Sequence, residues 1–213
     1  MENLLSSINN YFSDEFTSQL ANSLDETQPG IQKTISTIIP LSLQRLSSIG
    51  ENGLEGENEL TRITSDASQY YAHSPNLSKL HNDERGSDLP LKFFGKDLHV
   101  VIKKIANFAG VKIGTAERLL TLVLPVITGK MGEYFHENNL SGSGMSHFLL
   151  TKKTDISVLI PAGYNTSDSS LGGHRSSPGN VPSPAVKKKR FPTWVMFVII
   201  ILVFLLLIYF SRL

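Results

Sequence analysis

The sequence predicts an all-α protein: a multihelical globule with a duplicated helix pair, followed by a disordered linker and one transmembrane helix. Three observations predict it. Apolar residues through roughly the first 160 positions recur at steps of three and four, the period of a helix face. Segments near residues 20–45 and 105–130 superpose along the chain without a gap, each with a Pro at the same register. The run Phe191 to Phe210 is 20 residues of almost wholly apolar character. As a helix rising 1.5 Å per residue it spans about 30 Å, the hydrocarbon thickness of a bilayer.

The 213-residue chain has a formal net charge of +1 and no Cys, which excludes disulfides and thiolate metal sites. The first 163 residues can bury roughly two thirds of their unfolded surface in one core. Charge is divided unevenly. Residues 1–90 hold 13 acidic and 5 basic side chains, residues 91–163 hold 5 acidic and 9 basic. Such a split reads as two solvated surfaces of opposite sign, or as halves that attract one another, or as a basic half leaning on an anionic bilayer. Met1 to Ser7 has neither a basic leader nor a long apolar stretch, so a signal peptide is not expected there.

Helix is expected from Asn3 to Leu24 in two pieces, with Leu4, Leu5, Ile8, Tyr11 and Phe12 on one and Phe16, Leu20 and Leu24 on the other. Ser13 before Asp14 and Glu15 has the form of an N-cap with acids in the first turn. Asp25 to Gly30 reads as a turn, with Pro29 at the first helical position of the next helix. Ile31, Ile35, Ile38, Ser42, Leu46 and Ile49 form that helix's stripe, which stops at Gly50. Glu57 to Tyr71 reads as an amphipathic helix through Leu60, Ile63, Ala67 and Tyr70, and 74–88 as a loop. Phe93 to Phe108 predicts a further helix ended by Gly110. Thr115 is expected to cap a long helix whose apolar face holds Leu119, Leu120, Val123, Leu124, Ile127, Met131 and Tyr134. Short helices are expected at Met145–Leu150 and 155–160, broken near Lys152 and Lys153.

A shift of 85 residues lays Leu20-Ala21-Asn22 on Ile105-Ala106-Asn107 and Ile38-Ile39-Pro40-Leu41 on Val123-Leu124-Pro125-Val126. Arg45 falls on Lys130. A Pro inside a helix removes a backbone bond and crowds the preceding turn, at about 3 kcal/mol or more, and kinks it. Pro40 and Pro125 are therefore predicted kinks of a repeated shape.

The boundaries expected are a helical domain over 1–163, a flexible Ser/Gly/Pro linker over 164–190, the transmembrane helix over 191–210 and a short tail over 211–213. The 27 residues from 164 to 190 would span roughly 28 Å r.m.s. as a flexible chain. Lys187, Lys188, Lys189 and Arg190 precede the apolar run, against Arg212 alone after it. By the positive-inside rule they orient the span, with Trp194 and Tyr209 at the two headgroup levels. The expected location is the cell (inner) membrane, single-pass and tail-anchored, with the N-terminal domain cytoplasmic.

No catalytic constellation emerges: there is neither a Gly-rich phosphate loop with its Lys nor a nucleophile elbow. His73, His81, His99, His136, His147 and His174 are scattered. Glu133 and His136 make a single E-x-x-H, whereas a bundle di-iron site needs two such pairs and two more Glu. It reads as polar helix surface, and no metal or cofactor is expected. Residues 98–128, helix, Ala-Gly turn and Thr-led helix, have the grammar of a helix-turn-helix. Only Thr115, Glu117 and Arg118 offer polar groups at the would-be recognition turn, and the repeat partner carries Asp25 and Glu26 there, the wrong sign for phosphate.

Leu4-Leu5, Ile38-Ile39-Pro40, Phe94-Gly95, Ile105 to Gly110, Leu119-Leu120 through Leu124-Pro125, and Met145 to Leu150 together resemble the YidB-like family of uncharacterised bacterial helical domains. The resemblance covers about residues 1–163. It implies an all-helical fold and no established activity or catalytic residues. In larger relatives it implies a following membrane span and a peptidoglycan-binding domain of the OmpA type; this chain stops three residues after its apolar run, as a tail-anchored form or as the front of a longer design. The function expected is a non-enzymatic, membrane-tethered module whose partners are the lipid bilayer and another protein or itself. The rival is a membrane-associated nucleic-acid binder using the hairpin at 98–128. A small-molecule substrate is not expected.

Overall fold

A computed structural model of the chain describes residues 1–71 and 88–164. The chain divides into two compact units, Met1–Arg175 and Ser176–Leu213, and the described residues all lie in the first. They are helical, with no strand among them. In chain order the helices are α1 (Glu2–Tyr11), α2 (Asp14–Leu24), α3 (Gln28–Gly50), α4 (Gly53–Tyr71), α5 (Leu89–Phe94), α6 (Leu98–Ala109), α7 (Ile113–Glu137), α8 (Gly142–Thr151) and α9 (Lys153–Val158). A 3-10 turn, Gly95–Asp97, joins α5 to α6.

The two longest helices are the hub. From Ile31 to Leu43 and from Leu119 to Gly132 most side chains are buried all round, as expected of helices inside a core rather than on its edge. α3 packs against α2, α4, α5, α6, α7, α8 and α9, and α7 against α1, α3, α4, α5 and α6. Buried hydroxyls in these apolar helices would be costly unless bonded. Thr34, Ser42 and Thr128 bond back to their own helix, at the carbonyls of Gly30 (2.8 Å), Ile38 (2.7 Å) and Leu124 (3.0 Å), while Ser47 reaches the Leu149 carbonyl of α8 (3.4 Å). Pro40 and Pro125 both lie inside these helices, as the sequence predicts.

The repeat is written in hydrogen bonds. α3 starts at Gln28 and α7 at Ile113, the same 85-residue shift. α2 ends at Asp25 with φ 52° and α6 at Gly110 with φ 73°, both left-handed. The next residue then reaches back five positions in each case: Glu26 N–H to the Ala21 carbonyl at 3.0 Å, Val111 N–H to that of Ala106 at 3.1 Å. This is one helix ending used twice, with a Gly in one copy and an Asp in the other, both tolerant of positive φ.

Capping sets the other boundaries. Ser13 accepts the Phe16 N–H at 3.3 Å, Thr27 that of Gly30 and Ser141 that of Gly144. The segment read as one helix from Phe93 is broken at Gly95, whose φ of 52° takes the backbone out of the helical region. α4 begins at Gly53 rather than near Glu57. Its first turn folds back tightly on α3, so that a Cβ on Gly56 would lie 2.0 Å from the Ile49 carbonyl oxygen. α8 also lies close to α4: a Cβ on Gly142 would meet the Glu57 carbonyl oxygen at 3.1 Å.

Tyr164 was expected to open the linker. It is instead 7% exposed and meets the Phe108 ring edge-on at 5.6 Å. The packed part of the chain therefore continues to the last described residue, held against the final turn of α6. Among the described residues no helix is long and apolar enough to cross a membrane. The expected span at 191–210, with Lys187, Lys188, Lys189, Arg190, Trp194 and Tyr209, lies outside the described residues, as do linker residues 165–190.

Candidate functional site

The most polar junction in the fold is where the turns of the two hairpins meet. α2 delivers Asp25 and Glu26 to one side, and α6 delivers Gly110 to Lys112 to the other. Lys112 is the N-cap of α7, and its side chain makes no cap bond. Glu26 meets this turn from the other hairpin: one carboxylate oxygen takes the Lys112 N–H at 2.9 Å and the Thr115 hydroxyl at 3.0 Å. A carboxylate beside an N-terminal turn is favoured by the partial positive charge of the unpaired N–H groups. The Lys112 ammonium in turn reaches the Asp25 carboxylate at 3.0 Å and the Asp25 carbonyl at 2.9 Å. Those contacts push the Lys112 pKa up, the hydrogen bond to Asp25 being the main cause.

This corrects the expected role of Thr115. It lies inside α7 rather than at its cap, is 6% exposed, and donates to Glu26. The signal in the sequence was the repeat itself. The true cap Thr27 aligns with Lys112, a residue that cannot accept a hydrogen bond through its side chain, so the second copy had to find its acceptor elsewhere.

The other predicted features stay apart. Glu133 pairs with Lys130 at 2.8 Å, both largely buried, while His136 is exposed. Among the described residues no group of three or more His, Asp or Glu could hold a metal ion. Arg45, the repeat partner of Lys130, donates to the Phe93 carbonyl and so ties α3 to α5. An open hollow of about 380 Å³ is lined by Met1, Glu2, Asn3, Lys152 and Asp155, and its own Lys152 and Asp155 pair at 3.2 Å. Two ion pairs join the acidic and the basic parts of the chain, Lys112 to Asp25 and Lys153 to Glu51. His73, His81 and His174 lie outside the described residues.

One surface differs sharply from the rest. On α6, Val101, Ile102, Ile105 and Ala106 face the core, while His99, Val100, Lys103 and Asn107 face solvent. No acidic residue occurs between Leu98 and Ala109.

Comparison with known proteins places the chain within this geometry. A family model described as a bacterial protein of unknown function (DUF937) matches residues 6–133, from within α1 to the last turn of α7, and so takes in both hairpins. No curated protein matches the chain, and no solved structure does. The matched span covers more than half of the sequence, and the chain belongs to the DUF937 family of bacterial proteins of unknown function.

Proposed function

We propose that the chain is a membrane-tethered, non-enzymatic helical module that binds another protein or a second copy of itself. The observation that carries the proposal is the apolar run Phe191 to Phe210 behind Lys187-Lys188-Lys189-Arg190. A run of that length and composition favours the bilayer, and its flanking charges keep the preceding domain in the cytoplasm. The fold supports the reading in a second way. Among the described residues the ion pairs lie mostly at the surface, which suits a domain that presents charged faces to a partner.

The hairpin at 98–128 supports an interaction role better than a nucleic-acid one. A recognition helix turns its N-terminal residues toward phosphate and base edges. Here that turn already holds the Glu26 carboxylate, with Asp25 beside it. Two measurements test the proposal. Washing bacterial membranes with alkaline carbonate should leave the full chain in the pellet and release a version ended at Ala185. Release of both removes the tether. The membrane-extracted chain should then cross-link to itself or to a captured protein, and a labelled duplex should show no salt-sensitive shift with it. A shift at low salt that fades with added salt would turn the reading toward nucleic acid.

A further inference from the structure

We propose that the outer face of α6 docks on the anionic headgroup surface of the bilayer. This rests on the tether proposed above and adds which face of the domain meets the membrane. His99, Lys103 and Asn107 follow one another at steps of four, so they stack along one side of the helix, and Val100 stands beside them. Lys96, in the turn before α6, is exposed as well. Val100 is 44% exposed and Leu91, on α5, is 60% exposed. The nearest acids along the chain are Asp97 just before α6, Glu117 in the first turns of α7, and Asp88, which is engaged by Lys92. Basic side chains around an exposed apolar one suit a surface of negative headgroups over hydrocarbon.

Two further observations select the bilayer as occupant. The chain leaves the described domain at Tyr164, packed on Phe108 of α6 itself, so the path to the expected span begins at this helix. Only 26 residues, 165 to 190, separate that point from the apolar run, which bounds how far the domain can stand from the bilayer. The repeat supplies the contrast. The 85-residue shift places His99 on Asp14, Val100 on Glu15 and Lys103 on Ser18. One frame thus presents a basic-apolar face in the second hairpin and an acidic face in the first. Residues 1–71 carry 10 acidic and 3 basic side chains and residues 89–118 carry 2 acidic and 6 basic, so a negative surface favours the segment that holds α6 over the one that holds α2.

The chain has no Cys, which allows clean single labels. Full-length Val100→Cys and Glu15→Cys, each carrying an environment-sensitive dye, are reconstituted into vesicles of phosphatidylcholine alone or with a third phosphatidylglycerol, then floated. The dye at 100 should shift to the blue and be quenched by headgroup-bound quencher in the anionic vesicles only. High salt should abolish this, as should Lys96→Glu with Lys103→Glu, while Lys96→Arg with Lys103→Arg should keep it. The dye at 15 should not respond. Equal signals at 100 in both vesicle types would overturn the proposal, as would equal responses at 15 and 100. So would a shift in neutral vesicles that grows with protein concentration, which would mark a second copy as the occupant. An alkaline wash separates the two readings. Stripping by the wash defeats the tether, while the response at 100 in anionic vesicles at low salt still decides the face. Failure to float in those vesicles at low salt defeats both.

Discussion

In the first hairpin the chain leaves α2 through Asp25 and enters α3 through its own cap, Thr27. In the second it leaves α6 through Gly110 and enters α7 at Lys112, which borrows Glu26 from the first. The backbone bonds that end α2 and α6 are the same, the buried stripes are the same, and each central helix carries its Pro at the same place. What has changed is the outside: an acidic turn and an acidic α2 face in one copy, a basic turn and a basic α6 face in the other. Core positions are constrained by close packing, and surface positions are not. Where two copies of one frame have parted is therefore where separate tasks are expected.

The comparison is open to breakage first at its core. Ile35 and Leu120 occupy equivalent positions and are 4% and 0% exposed. Ile35→Ala and Leu120→Ala should each destabilise by about 3 kcal/mol in urea unfolding of the detergent-solubilised chain, within roughly 1 kcal/mol of each other. A loss at one site only would show that the repeat shares a shape but not a packing role.

At the junction, Glu26→Ala should cost about 1 to 2 kcal/mol, because it strips the acceptor from the Lys112 N–H and the Thr115 hydroxyl together. Combined with Thr115→Val the losses should fall short of their sum, since the two residues share one bond. Strict additivity would mean that Glu26 does not hold α7.

The helix endings should respond asymmetrically. Gly110→Ala, at φ 73°, should cost about 1 kcal/mol, while Asp25→Gly, at φ 52°, should stay near neutral as relief of left-handed strain offsets the lost contact with Lys112. Equal losses would break the matched roles.

The smallest effects concern two tyrosines. Burial pushes Tyr11 and Tyr164 up from the usual 10 to about 12. The unfolded chain then releases these protons between pH 10 and 12 while the folded chain keeps them, so stability falls as pH rises through that window. Tyr11→Phe should flatten that fall. Tyr164→Phe should leave stability at neutral pH unchanged or slightly higher, because the Tyr164 hydroxyl is buried without a hydrogen-bond partner among the described residues. A steeper alkaline loss in either variant would contradict the assignment.

Local signals made much of this legible. Ser13 as a cap, Gly110 as a left-handed stop, the end of α3 at Gly50 and the Pro within each central helix can all be read from residue type and spacing. What escaped depends on contacts far apart in the chain. α4 starts four residues before Glu57, and its Gly56 is required because the Ile49 carbonyl fills the space where a Cβ would go. Glu26 lies 86 positions from the backbone group it caps, so no local pattern announces it. Tyr164 sits in a polar stretch, and its burial depends on Phe108, 56 residues earlier. On α6 the stripe of Val101, Ile102 and Ile105 is legible at helical spacing, and these are residues that the core buries.

The central claim is that the helical domain is held at the cytoplasmic side of a membrane by the run behind Lys187 to Arg190. Moving that cluster across a bilayer opposes the membrane potential by about 2.3 kcal/mol per charge for each 100 mV. Protease added to intact spheroplasts decides the matter most directly. The account predicts a domain left uncut until the membrane is broken, and then digested at accessible loops. Digestion of the domain in intact spheroplasts would contradict it.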